Sequence, residues 1–164
     1  MRPRPDRVGP GQESVWDYPR PAIAGPTTAD IVIEHRGELI ADTRRAIRTL
    51  ETSHPPSYYL PRADIAAAVR RRAAASSWCQ WKGVAARWDV VVGDTVLPRI
   101  GWSCADPPPA FHALRDHVAF YAAPFDRCSV DGETAVPQPG GFYGGWITSG
   151  VVGPFKSGPG SRGW

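Results

Sequence analysis

Ala29-Asp-Ile-Val-Ile-Glu-His-Arg-Gly-Glu-Leu-Ile-Ala41 decides the fold. Ile31, Val32 and Ile33 are β-branched, suit a pleated and half-buried surface, and are bounded by turn-forming residues. Gly37 then turns the chain back into Glu38-Leu-Ile-Ala41, so the stretch reads as a hairpin. The same pattern returns at Trp88-Asp-Val-Val-Val92, Gly93-Asp94 and Thr95-Val-Leu97. Glycine at the first loop position there suits a two-residue type II′ turn. Arg99–Ser103, Val118–Tyr121 and Cys128–Asp131 read as further strands. Roughly five to eight short strands in about a hundred residues predict a small antiparallel sheet or barrel rather than a parallel α/β fold. The expected class is mainly β, a β-rich α+β domain with one or two short helices. One helix is expected over Pro61 to Ala75, where Asp64 near the start and Arg70-Arg71-Arg72 near the end suit the helix dipole. Phe111–His117, after a triple-proline break, is the other. Thr43–Glu51 fits both periods: Ile47 and Leu50 have helical spacing, while Ala46, Arg48 and Leu50 alternate.

The chain has 164 residues, with 42% hydrophobic and 21% charged side chains, which suits one globular domain. Gly (17) and Pro (18) concentrate at the ends and in turns, again favouring many short elements. Residues 1–13 read as disordered and 14–133 as one domain. Ser14-Val-Trp-Asp-Tyr-Pro-Arg-Pro21 is expected to be an extended arm docked on that domain, with Trp16 and Tyr18 facing the same way. The extension 134–164 carries Phe142, Tyr143, Trp146, Phe155 and Trp164, poor choices for a flexible tail. It is expected to wrap the body, with a hairpin at Trp146–Phe155.

A net charge of +3 is too small to imply a nucleic-acid partner, and the arginine runs read as solvated faces. Cys79, Cys104 and Cys128 are odd in number and contain no CxxC, so a cytoplasmic setting is expected. The start lacks the apolar run of a signal peptide, and no stretch approaches a membrane span.

The chemistry concentrates in Leu50-Glu-Thr-Ser-His-Pro-Pro-Ser-Tyr-Tyr-Leu-Pro61. Prolines at 55, 56 and 61 restrict its backbone and that of the residues before them. Glu51 and His54 are candidate acid/base residues, since a neighbouring carboxylate tunes an imidazole, and Tyr58 and Tyr59 are candidate ligand contacts. Equally, Glu51 could pair with an arginine, His54 could cap a turn and both tyrosines could be core. Trp78-Cys-Gln-Trp-Lys-Gly83 adds Trp81 and Lys82, a cation in an aromatic setting that suits a base or an anion contact. Ser53 beside His54 is adjacency, which seldom makes a nucleophile–base pair. Gly150-Val-Val-Gly-Pro-Phe-Lys-Ser157 has Phe155 where a phosphate-binding loop needs glycine. His112 and His117 lack the spacing of a zinc site, and neither a metal nor a cofactor is expected.

Ser14-Val-Trp-Asp-Tyr-Pro-Arg-Pro21, Ala41-Asp-Thr-Arg-Arg-Ala46, the Leu50–Pro61 block, Cys79-Gln-Trp-Lys-Gly-Val-Ala85, Trp102 and Val118-Ala-Phe-Tyr121 together resemble the domain-of-unknown-function family numbered 427, over about residues 14–133. The Gly-rich tail resembles an extension of some bacterial members. The resemblance implies a compact domain of the β-tent kind and no secure activity, although members have been labelled nucleotidyltransferase-like. No carboxylate pair here suits the two-metal chemistry of that label. The expected role is therefore binding of a small planar or anionic ligand by Tyr58, Tyr59, Trp81, Lys82 and Trp102, beside Glu51 and His54. An enzyme using Glu51 or His54 as general base, and a purely structural or interaction module, are the alternatives.

Overall fold

The computed structural model describes residues 2–67, 69–79 and 83–164, with side chains described outside 70–84. The strands are β1 (Glu13–Ser14), β2 (Ile23–Pro26), β3 (Ile31–His35), β4 (Glu38–Thr43), β5 (Ile47–Leu50), β6 (Ser57–Pro61), β7 (Val69–Cys79) and β8 (Gly83–Val92). They continue as β9 (Thr95–Cys104), β10 (His117–Phe120), β11 (Arg127–Val130), β12 (Glu133–Thr134), β13 (Val136–Pro137), β14 (Trp146–Ile147) and β15 (Val151–Val152). A seven-stranded sheet runs β2-β5-β6-β10-β9-β8-β7, and a four-stranded sheet runs β12-β11-β3-β4. The larger sheet is open, with β2 and β7 as its edges, so it is not a closed barrel.

The hairpin read from Ala29–Ala41 forms as expected. Ile31, Ile33 and His35 are buried while Glu34 is exposed, the alternation of a strand with one face on a core. Arg36 and Gly37 take φ of 51° and 77°, both left-handed, as a two-residue type I′ loop requires. Val92 pairs with Thr95 across Gly93-Asp94, closing the second hairpin with φ of 57° at Gly93. Ile31, Ile33 and Ile40 from the small sheet share one buried cluster with Leu60, Val90, Val118 and Phe120 from the large one. The two sheets therefore pack on each other through a common core.

Three expectations are corrected. Pro61–Ala75 is not a helix: Arg62–Asp64 makes a single 3-10 turn, Ile65 bridges to Ala41, and β7 follows. β7 pairs antiparallel with β8 from Val69↔Val90 to Cys79↔Gly83, and those ladder bonds override the helical propensity of the alanines. The register jumps from Arg71↔Trp88 to Ser76↔Ala86, a bulge in an arginine-bearing edge strand that discourages further pairing. Asp64, expected to serve a helix dipole, instead accepts hydrogen bonds from Thr43 Oγ1 at 2.7 Å and from Arg45.

The expected hairpin at Trp146–Phe155 is absent as well. β14 pairs antiparallel with β13, and β15 pairs in parallel with β1. Burial of the Trp146 indole decides this: 1% exposed, it donates from Nε1 to Phe120 O at 2.9 Å and leaves β14 pointing into the main core. The arm is not extended throughout either. Val15–Asp17 forms a 3-10 turn with Ser14 as its cap, and Trp16 and Tyr18 join a buried cluster with Val15 and Val151.

Candidate functional site

The connection from β5 to β6, Glu51–Pro56, is held from both sides. The arm contributes Pro19 O, which accepts from Thr52 N at 3.1 Å, and Val15 O, which accepts from Ser53 N at 3.0 Å. From the tail, Lys156 N donates to Ser53 O and Trp146 N donates to Pro56 O, each at 2.8 Å. Pro55 is fully buried. Prolines and clamps together fix where this loop presents its side chains.

Glu51 and His54 do meet. Glu51 Oε2 and His54 Nε2 lie 3.8 Å apart, with side chains 28% and 13% exposed. The other imidazole nitrogen, Nδ1, lies 3.1 Å from the amide nitrogen of Gln138. That amide has one sensible orientation, because Gly145 N donates to its Oε1 at 3.1 Å and its Nε2 donates to Lys156 O at 3.2 Å. Gln138 therefore donates to His54 Nδ1, and a neutral His54 carries its proton on Nε2, aimed at Glu51. At 3.8 Å Glu51 is an ion-pair neighbour of His54, beyond hydrogen-bond distance. Ser53 does not join them: it is fully buried with φ of 73°, and its Oγ has no hydrogen-bond partner among the described residues.

Tyr58 and Tyr59 are adjacent on β6 and so face opposite sides of the sheet, which prevents both from lining one pocket. Tyr58 packs in the main core with its ring 5.4 Å from that of Trp146, and burial foremost pushes its phenol up. Tyr59, wholly buried in a second cluster, accepts from Trp102 Nε1 at 3.0 Å. Trp102 is only partly buried and packs against Tyr121 with ring centroids 4.8 Å apart. Trp81 and Lys82 lie outside the described residues.

The tail closes over this face. Tyr143 sits edge-on against His54 with centroids 4.6 Å apart, and Tyr121 donates from its hydroxyl to Phe142 O at 2.9 Å. Gly144 lies against the Trp102 indole so closely that a Cβ there would come within 2.9 Å of Cζ2 and Cζ3, and closer still to Cη2. At Gly145 a Cβ would meet Pro55 Cγ and O at 2.6 Å. Only glycine fits either place. Phe142, at the tip, is 74% exposed. Gln138, Tyr143 and Tyr121 were not anticipated as site residues; the glycine doublets 140–141 and 144–145 flanking two aromatics were the one available signal.

Among the described residues no group of three or more His, Cys, Asp or Glu side chains is placed to hold a metal ion. Among the described residues no helix is long and apolar enough to cross a membrane. A family model described as a domain of unknown function (DUF427) matches residues 23–131, from the first residue of β2 to the turn after β11. The match includes Glu51, His54, Trp102 and Tyr121 and excludes the tail that covers them. No curated protein matches the chain.

Proposed function

We propose, for a chain that belongs to the family described as a domain of unknown function (DUF427), that it is a small-molecule-binding domain. Its ligand is planar, lies against Trp102 and Tyr121, and presents a hydrogen-bond donor to Glu51 at the edge. The observation that supports this reading is the half-buried Trp102–Tyr121 pair, with ring centroids 4.8 Å apart, whose outer indole edge meets Gly144, a residue with no side chain. Tyr143 and Gly144 act as a cover that the ligand displaces. The setting we propose is cytoplasmic, in keeping with Cys128 as a buried free thiol.

A thermal-shift panel of planar heteroaromatic compounds, run on wild type and Tyr143→Ala, tests the reading. A ligand should raise the melting temperature of wild type by a few degrees or more and that of Tyr143→Ala further, because the competing ring is gone. A panel that stabilises neither protein would count against it. The contact between Glu51 and His54, with Gln138 holding the other imidazole nitrogen, supports a second reading, in which the same site carries out proton transfer with Glu51 as base. Glu51→Gln separates the two: a binder loses affinity modestly, whereas an enzyme keeps binding and loses turnover.

A further inference from the structure

A cavity of about 360 Å³ lies away from Trp102, lined by Arg2, Trp16, Arg20, Thr52, Gly163 and Trp164. We infer that it is a second binding site, for an aromatic ring carrying a phosphate or carboxylate group. Its volume is within the range of small-ligand sites. The two indoles are fixed: Trp16 donates from Nε1 to Pro154 O at 2.9 Å and meets Trp164 edge-to-face with centroids 5.3 Å apart. Such rings offer a flat ligand a face whose position is already set, so little ordering entropy is lost on binding.

The two cations supply the charge. Arg2 lies over the Trp16 ring at 5.3 Å, and Arg20 makes one long bond, from Nη2 to Thr52 O at 3.4 Å. Neither is ion-paired with a carboxylate among the described residues, so most donors of both guanidinium groups remain available. A guanidinium fork matches a phosphate or carboxylate edge and holds it by charge-assisted hydrogen bonds. Thr52, on the same clamped loop that carries Glu51, lines the site without supplying a donor to the anion, because its hydroxyl already donates to Tyr18 O at 2.5 Å.

Of the six lining residues only Thr52 lies within the span matched by the family model. The site is thus built mainly by segments outside that span, and it stands independently of the ligand proposed above.

Calorimetric titration of the full chain with phenyl phosphate, adenosine 5′-monophosphate, adenosine and inorganic phosphate tests it. The two aromatic phosphates should bind, with adenosine and inorganic phosphate each weaker by about tenfold or more, since each lacks one of the two contacts. Arg20→Gln, at an exposed position, should weaken the aromatic phosphates about tenfold. Trp164→Leu should do likewise while keeping the backbone oxygen that accepts from Lys156 Nζ. Tyr143→Ala should leave these affinities unchanged. Absence of binding up to millimolar concentration, or equal affinity in Arg20→Gln, would overturn the inference.

Discussion

Replacing Gly144 by alanine probes the contact on which the site depends. The added methyl would stand within 2.9 Å of two Trp102 ring carbons and nearer a third, so either the indole tilts or the tail lifts. Tilting strains the bond from Trp102 Nε1 to Tyr59, and lifting loosens the Tyr143–His54 and Phe142–Tyr121 contacts. Overpacking of this kind costs about 1–3 kcal/mol. At roughly 3 °C per kcal/mol for a chain of this size, the melting temperature should fall by about 3–9 °C. Two controls separate the cause. Gly25 has open space around it and no left-handed φ, so Gly25→Ala should stay within about 0.5 kcal/mol of wild type. Gly141 also has open space but a φ of 71°, so alanine there costs only the left-handed strain, about 1–2 kcal/mol. Urea unfolding followed by tryptophan fluorescence measures all three. If Gly144→Ala costs no more than Gly25→Ala, the tail does not lie on Trp102 and the site description is wrong.

Gln138→Leu keeps much of the side-chain volume but strips partners from His54 Nδ1, Gly145 N and Lys156 O; we expect a loss of about 2–4 kcal/mol by urea unfolding, from polar groups left unsatisfied. In that variant the nitrogen-15 shifts of His54 should also move away from a pure Nε2–H tautomer, a change that a packing defect alone would not produce. Burial pushes the Cys128 thiol up to about 12. In a Cys79→Ser background, with the labelled peptide identified by mass, iodoacetamide should therefore reach Cys128 only when urea unfolds the chain, and labelling of the Cys128 peptide in the native protein would contradict its placement. Arg45 and Thr43 hold the Asp64 carboxyl below its ordinary range, its bond to Arg45 being the larger cause. Its folded value is lowered, so its contribution is present above about pH 4 and is lost as the pH falls through the lowered value. Asp64→Asn should therefore flatten the acid limb of stability against pH, and an unchanged limb would refute the pairing.

Local grammar made the two hairpins legible, because β-branched runs ending in Arg36-Gly37 and Gly93-Asp94 leave few other conformations. The Glu51–His54 pair was legible for the same reason, being three residues apart in a proline-stiffened loop. The Pro61–Ala75 reading failed because alanine-rich propensity is a weak prior beside a strand partner supplied by β8. Gln138 escaped because its contact with His54 spans 84 residues, and nothing local marks a glutamine as the partner of a distant imidazole. Tyr58 and Tyr59 were grouped by sequence adjacency, which in a strand separates side chains instead of gathering them.

Nuclear magnetic resonance titration with the planar compound that best stabilises the wild type tests the central claim most directly, with the Trp102 indole N–H and the Gly144 backbone amide as reporters. Both signals should move together with one midpoint, and Tyr143→Ala should lower that midpoint. Binding that leaves Trp102 and Gly144 unmoved, or a midpoint indifferent to Tyr143, would contradict a ligand site beneath the tail.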